Sequence, residues 1–136
     1  MSARRLAAVL ALLELIVAAY LEIERARGRA VACPIGGGGC ETVQHSRYSK
    51  LAGVPLPLLG LAGAAAMLVT ALLSDARART AAFVLAAAGA LFSLYLAGLQ
   101  AFAIHAYCAW CLGSAAIWLA LATTTGVMWV RASDDE

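Results

Sequence analysis

The chain is predicted to fold as an all-α integral membrane four-helix bundle with one long loop between its first and second helices. Of its 136 residues, 63% are hydrophobic and 13% charged, against about 45–50% apolar and about 25% charged in soluble domains. The mean hydropathy is +0.84. Charges also bracket the apolar runs: 51–74, 80–104 and 106–130 contain none. A helix rises about 1.5 Å per residue, so about 20 apolar residues cross a bilayer. Four spans therefore use up nearly the whole chain. A separate soluble domain and intrinsic disorder are excluded. A net charge of +2 with no basic stripe gives no reason to expect nucleic acid as a partner.

The first helix is expected at about 6–23. Arg4 and Arg5 ahead of an apolar run resemble a secretory signal, but no small-residue cleavage site follows Leu21. The chain continues into Glu22, Glu24 and Arg25, so the segment reads as a retained helix. Glu14 interrupts it. An ionisable residue at a helix centre costs about 2.5–3.5 kcal/mol and is a functional candidate by default; structural pairing is weighed ahead of a proton relay. The second helix, at about 54–74, is entered through Pro55 and Pro57, where proline costs least. A charged turn, Ser74 to Thr80, leads to the third at about 80–104, and His105, Ala106 and Tyr107 precede the fourth at about 107–130. Gly60 with Ala64, Gly89 with Ser93 and Ala109 with Gly113 repeat at four-residue spacing, which lets membrane helices approach closely. Packing, not chemistry, is their expected role.

Positive charge does not settle orientation. Arg25, Arg27, Arg29, Arg47 and Lys50 lie on one side; Arg4, Arg5, Arg77, Arg79 and Arg131 lie on the other. Arg4 and Arg5 weakly favour an inside N-terminus.

The four cysteines carry the chemistry. With four spans, the loop at about 24–53 and the turn before the last helix emerge on one face. Cys33 and Cys40 therefore share a membrane surface with Cys108 and Cys111. Cys108-Ala109-Trp110-Cys111 opens a helix, where unpaired N–H groups and the helix dipole favour thiolate. Cys33 and Cys40 flank Pro34, Ile35 and four glycines, a supple connection. Thiol–disulfide exchange needs a thiolate to reach a disulfide sulfur, so a mobile pair beside a fixed one suits a relay. The six residues between Cys33 and Cys40 are too many for a usual zinc knuckle, and no metal ligands are assigned. A Cys-x-x-Cys ring in a helix is labile and not structural. The rival reading is a membrane metal-binding or transport protein using the four cysteines as soft ligands.

A dithiol facing the membrane interior needs a lipid-soluble electron acceptor, and a quinone is the abundant one. Its slot should be apolar and aromatic with few polar groups. Phe102, Tyr107, Trp110 and Leu112 are local candidates, with Pro55, Leu56 and Leu59 from the second helix. His45 and His105 titrate in the range for proton transfer but are weighed as bystanders.

This order of elements resembles the vitamin K epoxide reductase family, specifically its short bacterial homologues without a fused thioredoxin-like domain. The resemblance covers nearly the whole chain: a loop cysteine pair, Ser46 six residues after Cys40, then Tyr48, Gly53, Pro55 and Gly60, and a final Cys-x-x-Cys. It implies a quinone-dependent thiol oxidoreductase that supports disulfide formation. Cys111 would contact ubiquinone or menaquinone, and Cys108 would receive electrons from Cys33 and Cys40. That loop pair would face a separate thioredoxin-fold, DsbA-like protein. Ser46 would hydrogen-bond a quinone oxygen or a thiolate. Leu56 and Ala115 stand where epoxide-reducing vertebrate members carry Asn and Tyr, so plain quinone reduction is the expectation. The implied location is a bacterial inner membrane, multi-pass, with the cysteines on the extracytoplasmic side.

Overall fold

The computed structural model describes residues 2–28, 50–51, 53–73, 75–105 and 108–134. Cys33, Cys40, His45, Ser46 and Tyr107, with most of the 24–53 loop, lie outside the described residues. Among those described, the elements are α1 (Ala3–Ala26), β1 (Lys50–Leu51), β2 (Val54–Pro55), α2 (Leu56–Leu72), α3 (Ala76–Leu99) and α4 (Ala109–Asp134). A π-helical turn, Gln100–Ile104, continues α3. The arrangement is helical, as expected, with a small antiparallel ribbon added: Lys50 pairs with Pro55 and Leu51 with Val54. Gly53, at φ +84°, supplies the left-handed turn residue. Two-residue strands are too short for alternating polarity to signal them.

The helix ends differ from the expected ones for local reasons. α1 starts at Ala3 because the Ser2 hydroxyl accepts the Arg5 N–H at 3.2 Å, a serine N-cap. It runs on to Ala26, with Arg25 donating to Glu22 in an i,i+3 ion pair. Gly28 then stops it at φ +69°, its N–H bonded to the Arg25 carbonyl at 3.1 Å. α3 starts at Ala76, so Arg77 and Arg79 belong to its first turns and not to a connecting turn.

α2 is the short member. Its 17 residues reach about 25 Å. Leu73 turns extended at ψ 145°, and Arg4 of α1 caps the end. Its Nε donates to the Ala71 carbonyl at 2.6 Å and its Nη2 to that of Leu72 at 3.1 Å. Among the described residues three helices are long and apolar enough to cross a membrane: Ala3–Ala26, Ala76–Ile104 and Ala109–Ala132.

α1 packs on α2 and α4, and α3 packs on the same two. The core is built largely from alanine: Ala7, Ala11, Ala86 and Ala90 surround Met67, Trp118 and Leu121. Large apolar side chains point outward instead, among them Leu72, Val84, Leu91 and Tyr95. That inversion is what a lipid-facing bundle needs, since close approach of backbones replaces water expulsion as the packing force. The hydroxyls of Thr123, Thr124 and Thr125 stay satisfied by donating to carbonyls one turn back.

Trp118 fixes the spacing. A Cβ added at Gly63 of α2 would lie 3.1 Å from its ring, and one at Gly89 of α3 only 2.4 Å from it. At Gly60 an added Cβ would be 3.3 Å from the Ala18 Cβ, while Gly113 has nothing within 4 Å. Small residues thus admit close contact at Gly60 and Gly89, and Gly113 serves no such contact. Gly89→Ala should destabilise the protein by about 1–3 kcal/mol through overpacking. Gly113→Ala in thermal unfolding of detergent-solubilised protein should change little.

Candidate functional site

The site is built at the start of α4. The backbone leaves α3 through the π turn and passes His105 in the left-handed region, at φ 57°. Cys108 then takes the N-cap position: its carbonyl accepts from the Leu112 N–H at 2.9 Å, and its Sγ accepts from the Cys111 N–H at 3.2 Å. Sulfur here does the work that an oxygen usually does at an N-cap. The Cys108 N–H is bonded in turn by the buried Gln100, whose Oε1 accepts it at 2.8 Å. A residue of the π turn thereby ties the end of α3 to the start of α4.

The two cysteines differ in access. Cys108 is fully buried and Cys111 half-buried. Cys108 packs with Leu21 of α1, alongside Val17, Tyr20 and Trp110. The Tyr20 and Trp110 rings lie 5.1 Å apart and tilted by 46°, a favourable aromatic geometry. Trp110 therefore braces the helix start against α1.

Cys111 faces a partly open cavity of about 290 Å³ lined by all four helices. From α1 come Glu14, Val17, Ala18 and Leu21; from α2, Leu56, Pro57, Leu59 and Gly60. The α3 wall includes Phe92, Ser93, Leu96 and Leu99, followed by Gln100 and Ile104 of the π turn. Ser114 and Trp118 complete the α4 wall, three and seven residues beyond Cys111 on the same helix face. The volume lies at the lower edge of the range of about 300–1,000 Å³ for small-molecule sites.

The polar centre of that wall is Glu14. Ser114 Oγ donates to its Oε1 at 2.6 Å and Trp118 Nε1 donates to the same oxygen at 3.1 Å. Oε2 is buried without a hydrogen-bond partner among the described residues. An unsatisfied buried polar atom costs about 1–3 kcal/mol, so its retention asks for an occupant.

Of the expected slot residues, Leu56 and Leu59 line the cavity with Cys111. Phe102 does not: it is 84% exposed, two residues from Gln100 and hence on the opposite side of the helix. Trp110 packs on Tyr20, Ala115 is buried outside the cavity wall, and Leu112 is exposed. Pro55 is likewise outside the wall, which Pro57 joins instead. Nearness in sequence to the cysteines, which singles out Phe102, Trp110 and Leu112, does not decide what faces the cavity; helix phase does. The same phase points to Ser114 and Trp118, which nearness to a cysteine misses, and an uncharged polar residue inside an apolar run points to Gln100. His105 is exposed. Among the described residues no group of three His, Cys, Asp or Glu could hold a metal ion.

A helical membrane bundle with a cysteine pair at the start of its last helix, beside an apolar cavity, defines a class of membrane thiol proteins. Residues 5–125 match the Vitamin K epoxide reductase family, and the chain belongs to it. It is also similar to the thiol-disulfide oxidoreductase LTO1 of Arabidopsis thaliana, at 48% identity over 42 residues. That segment is 31% of this chain and 11% of the relative, so the two compare over a small part of the longer protein.

Gln100→Leu should leave the buried Cys108 N–H unpaired and lower stability by about 1–3 kcal/mol. Phe102→Leu, on the exposed side of the same turn, should leave the unfolding free energy within about 0.5 kcal/mol of the parent.

Proposed function

We propose that this protein is a membrane thiol–disulfide oxidoreductase that passes electrons from a thioredoxin-fold partner to a quinone. The partner's electrons enter at Cys33 and Cys40, continue to Cys108 and Cys111, and leave at the cavity. The observation that carries this reading is the position of Cys111, one helical turn from an N-cap cysteine and on the wall of an apolar cavity. Family membership supports an oxidoreductase role in general terms, and the name of the Arabidopsis relative agrees with thiol–disulfide chemistry.

The residues divide the work. Cys108 Sγ caps α4, accepting the Cys111 N–H of its first turn. Burial keeps bulk thiols from it, so exchange is restricted to a sulfur brought onto it, the role given to the glycine-flanked pair. Gln100 and the Trp110–Tyr20 contact hold that helix start in place. Cys111 presents the second sulfur to the cavity. Leu56, Leu59, Phe92 and Leu96 offer apolar walls for a ring, and Glu14 offers a buried oxygen, Oε2, that has no hydrogen-bond partner among the described residues. A quinone, when bound, supplies the sink for the two electrons and two protons released as two thiols become one disulfide. Ubiquinone and menaquinone are the candidates, and Ser46 is proposed beside the site from the loop.

In this reading all four helices cross the bilayer, the short α2 included. Disulfide chemistry persists in extracytoplasmic compartments, so the cysteine face is assigned there, with both ends of the chain in the cytoplasm of a bacterial cell. The partner proposed is a thioredoxin-fold, DsbA-like protein.

Cys111→Ala should reduce quinone turnover, followed by quinone absorbance with a dithiol donor, to the rate without enzyme. Its circular dichroism and melting should match the parent. Sustained turnover by that variant would refute the proposal.

A further inference from the structure

Glu14 does more than join two helices. Its side chain is 2% exposed, near the middle of α1. Among the described residues no cationic group forms an ion pair with it. Among the described residues two donors, Ser114 Oγ and Trp118 Nε1, converge on Oε1, and Oε2 has neither donor nor acceptor. Such asymmetry suits a neutral acid. A protonated carboxyl has one oxygen that only accepts and one that carries the O–H. With Oε1 taken by two donors, the proton belongs on Oε2. That O–H is then a buried donor without an acceptor, on a residue that lines the cavity beside Cys111.

We propose that Glu14 is the ligand anchor of this cavity: its Oε2–H donates a hydrogen bond to a carbonyl oxygen of the occupant, a flat apolar ring bearing C=O groups. This rests on the quinone reading and adds the residue that orients the ring. Geometry along α4 supports it. Ser114, which holds the Glu14 carboxyl, follows Cys111 by three residues on one face, a rise of about 4.5 Å. Sulfur and acid therefore address the same small cavity from neighbouring turns. Gly60 keeps the approach open: a Cβ there would stand 3.6 Å from Glu14 Oε1 and 3.3 Å from the Ala18 Cβ.

Infrared difference spectroscopy of the detergent-purified full chain, titrated with a short-chain ubiquinone, tests this directly. A protonated-carboxyl C=O band should be present in the parent and missing in Glu14→Gln, and it should shift when ubiquinone saturates the protein. Binding is read separately by tryptophan fluorescence quenching. Glu14→Gln keeps both an acceptor for Ser114 and Trp118 and a donor, so its affinity should stay within about threefold of the parent, whereas Glu14→Leu should bind about tenfold more weakly. A carboxyl band that does not move at saturation overturns the assignment, as does parental affinity in Glu14→Leu. If Glu14→Leu does not fold, the parent's band decides alone. Saturable binding with an unmoved band removes only the role of Glu14; no saturable binding to the parent removes the quinone reading as well.

Discussion

The start of α4 is the constraint from which the rest of the site follows. A helix beginning inside an apolar bundle exposes N–H groups that no lipid can satisfy. Here they are met from within: Gln100 Oε1 takes the Cys108 N–H, and Cys108 Sγ takes that of Cys111. Both acceptors sit where the chain must turn. The π turn and the left-handed His105 are the backbone's means of bringing Gln100 under the cysteine pair. The sulfur that caps the helix is also one of the two on which the proposed exchange depends.

Packing around that point depends on one large residue among small ones. Trp118 fills the centre, with Gly63 and Gly89 giving way on either side, and its indole N–H is spent on Glu14. The same ring thereby spaces α2 and α3 and joins α4 to α1. Alanine elsewhere in the core lets the helices draw together, while the cavity remains open because Gly60 and Gly63 add no side chain to its wall.

Much of this was legible in the residues. Charge-free runs mark three of the four helices, an apolar run broken by Glu14 marks the first, and Cys-x-x-Cys marks the start of the last. Helix ends were less legible, since they depend on single caps: the Ser2 hydroxyl lengthens α1, and Arg4 closes α2 across a sequence gap that no local pattern reveals. The cavity was half legible. Leu56 and Leu59 were named for chemical character and happen to have the right phase; Phe102 was named for the same character and has the wrong one. Aromatic content and nearness to a cysteine do not determine facing, and only helix phase does. Glu14 was visible as an anomaly, but its partners Ser114 and Trp118 lie about a hundred residues away, beyond any local reading.

The two sulfurs differ in burial, and that difference gives the proposed electron path a direction. Residues three apart on a helix share a face but not a depth, the second lying about 4.5 Å further along the axis. Cys108 is at the mouth of the helix and sealed by Leu21 and its neighbours; Cys111 is one turn deeper and on the cavity. In the proposed path a sulfur of the Cys33 and Cys40 pair therefore exchanges with Cys108, and an occupant of the cavity meets Cys111. Reversing the two roles would require a ring to enter the sealed cluster and a water-borne thiol to enter the apolar cavity. Each of those steps places a group in the solvent that suits it least.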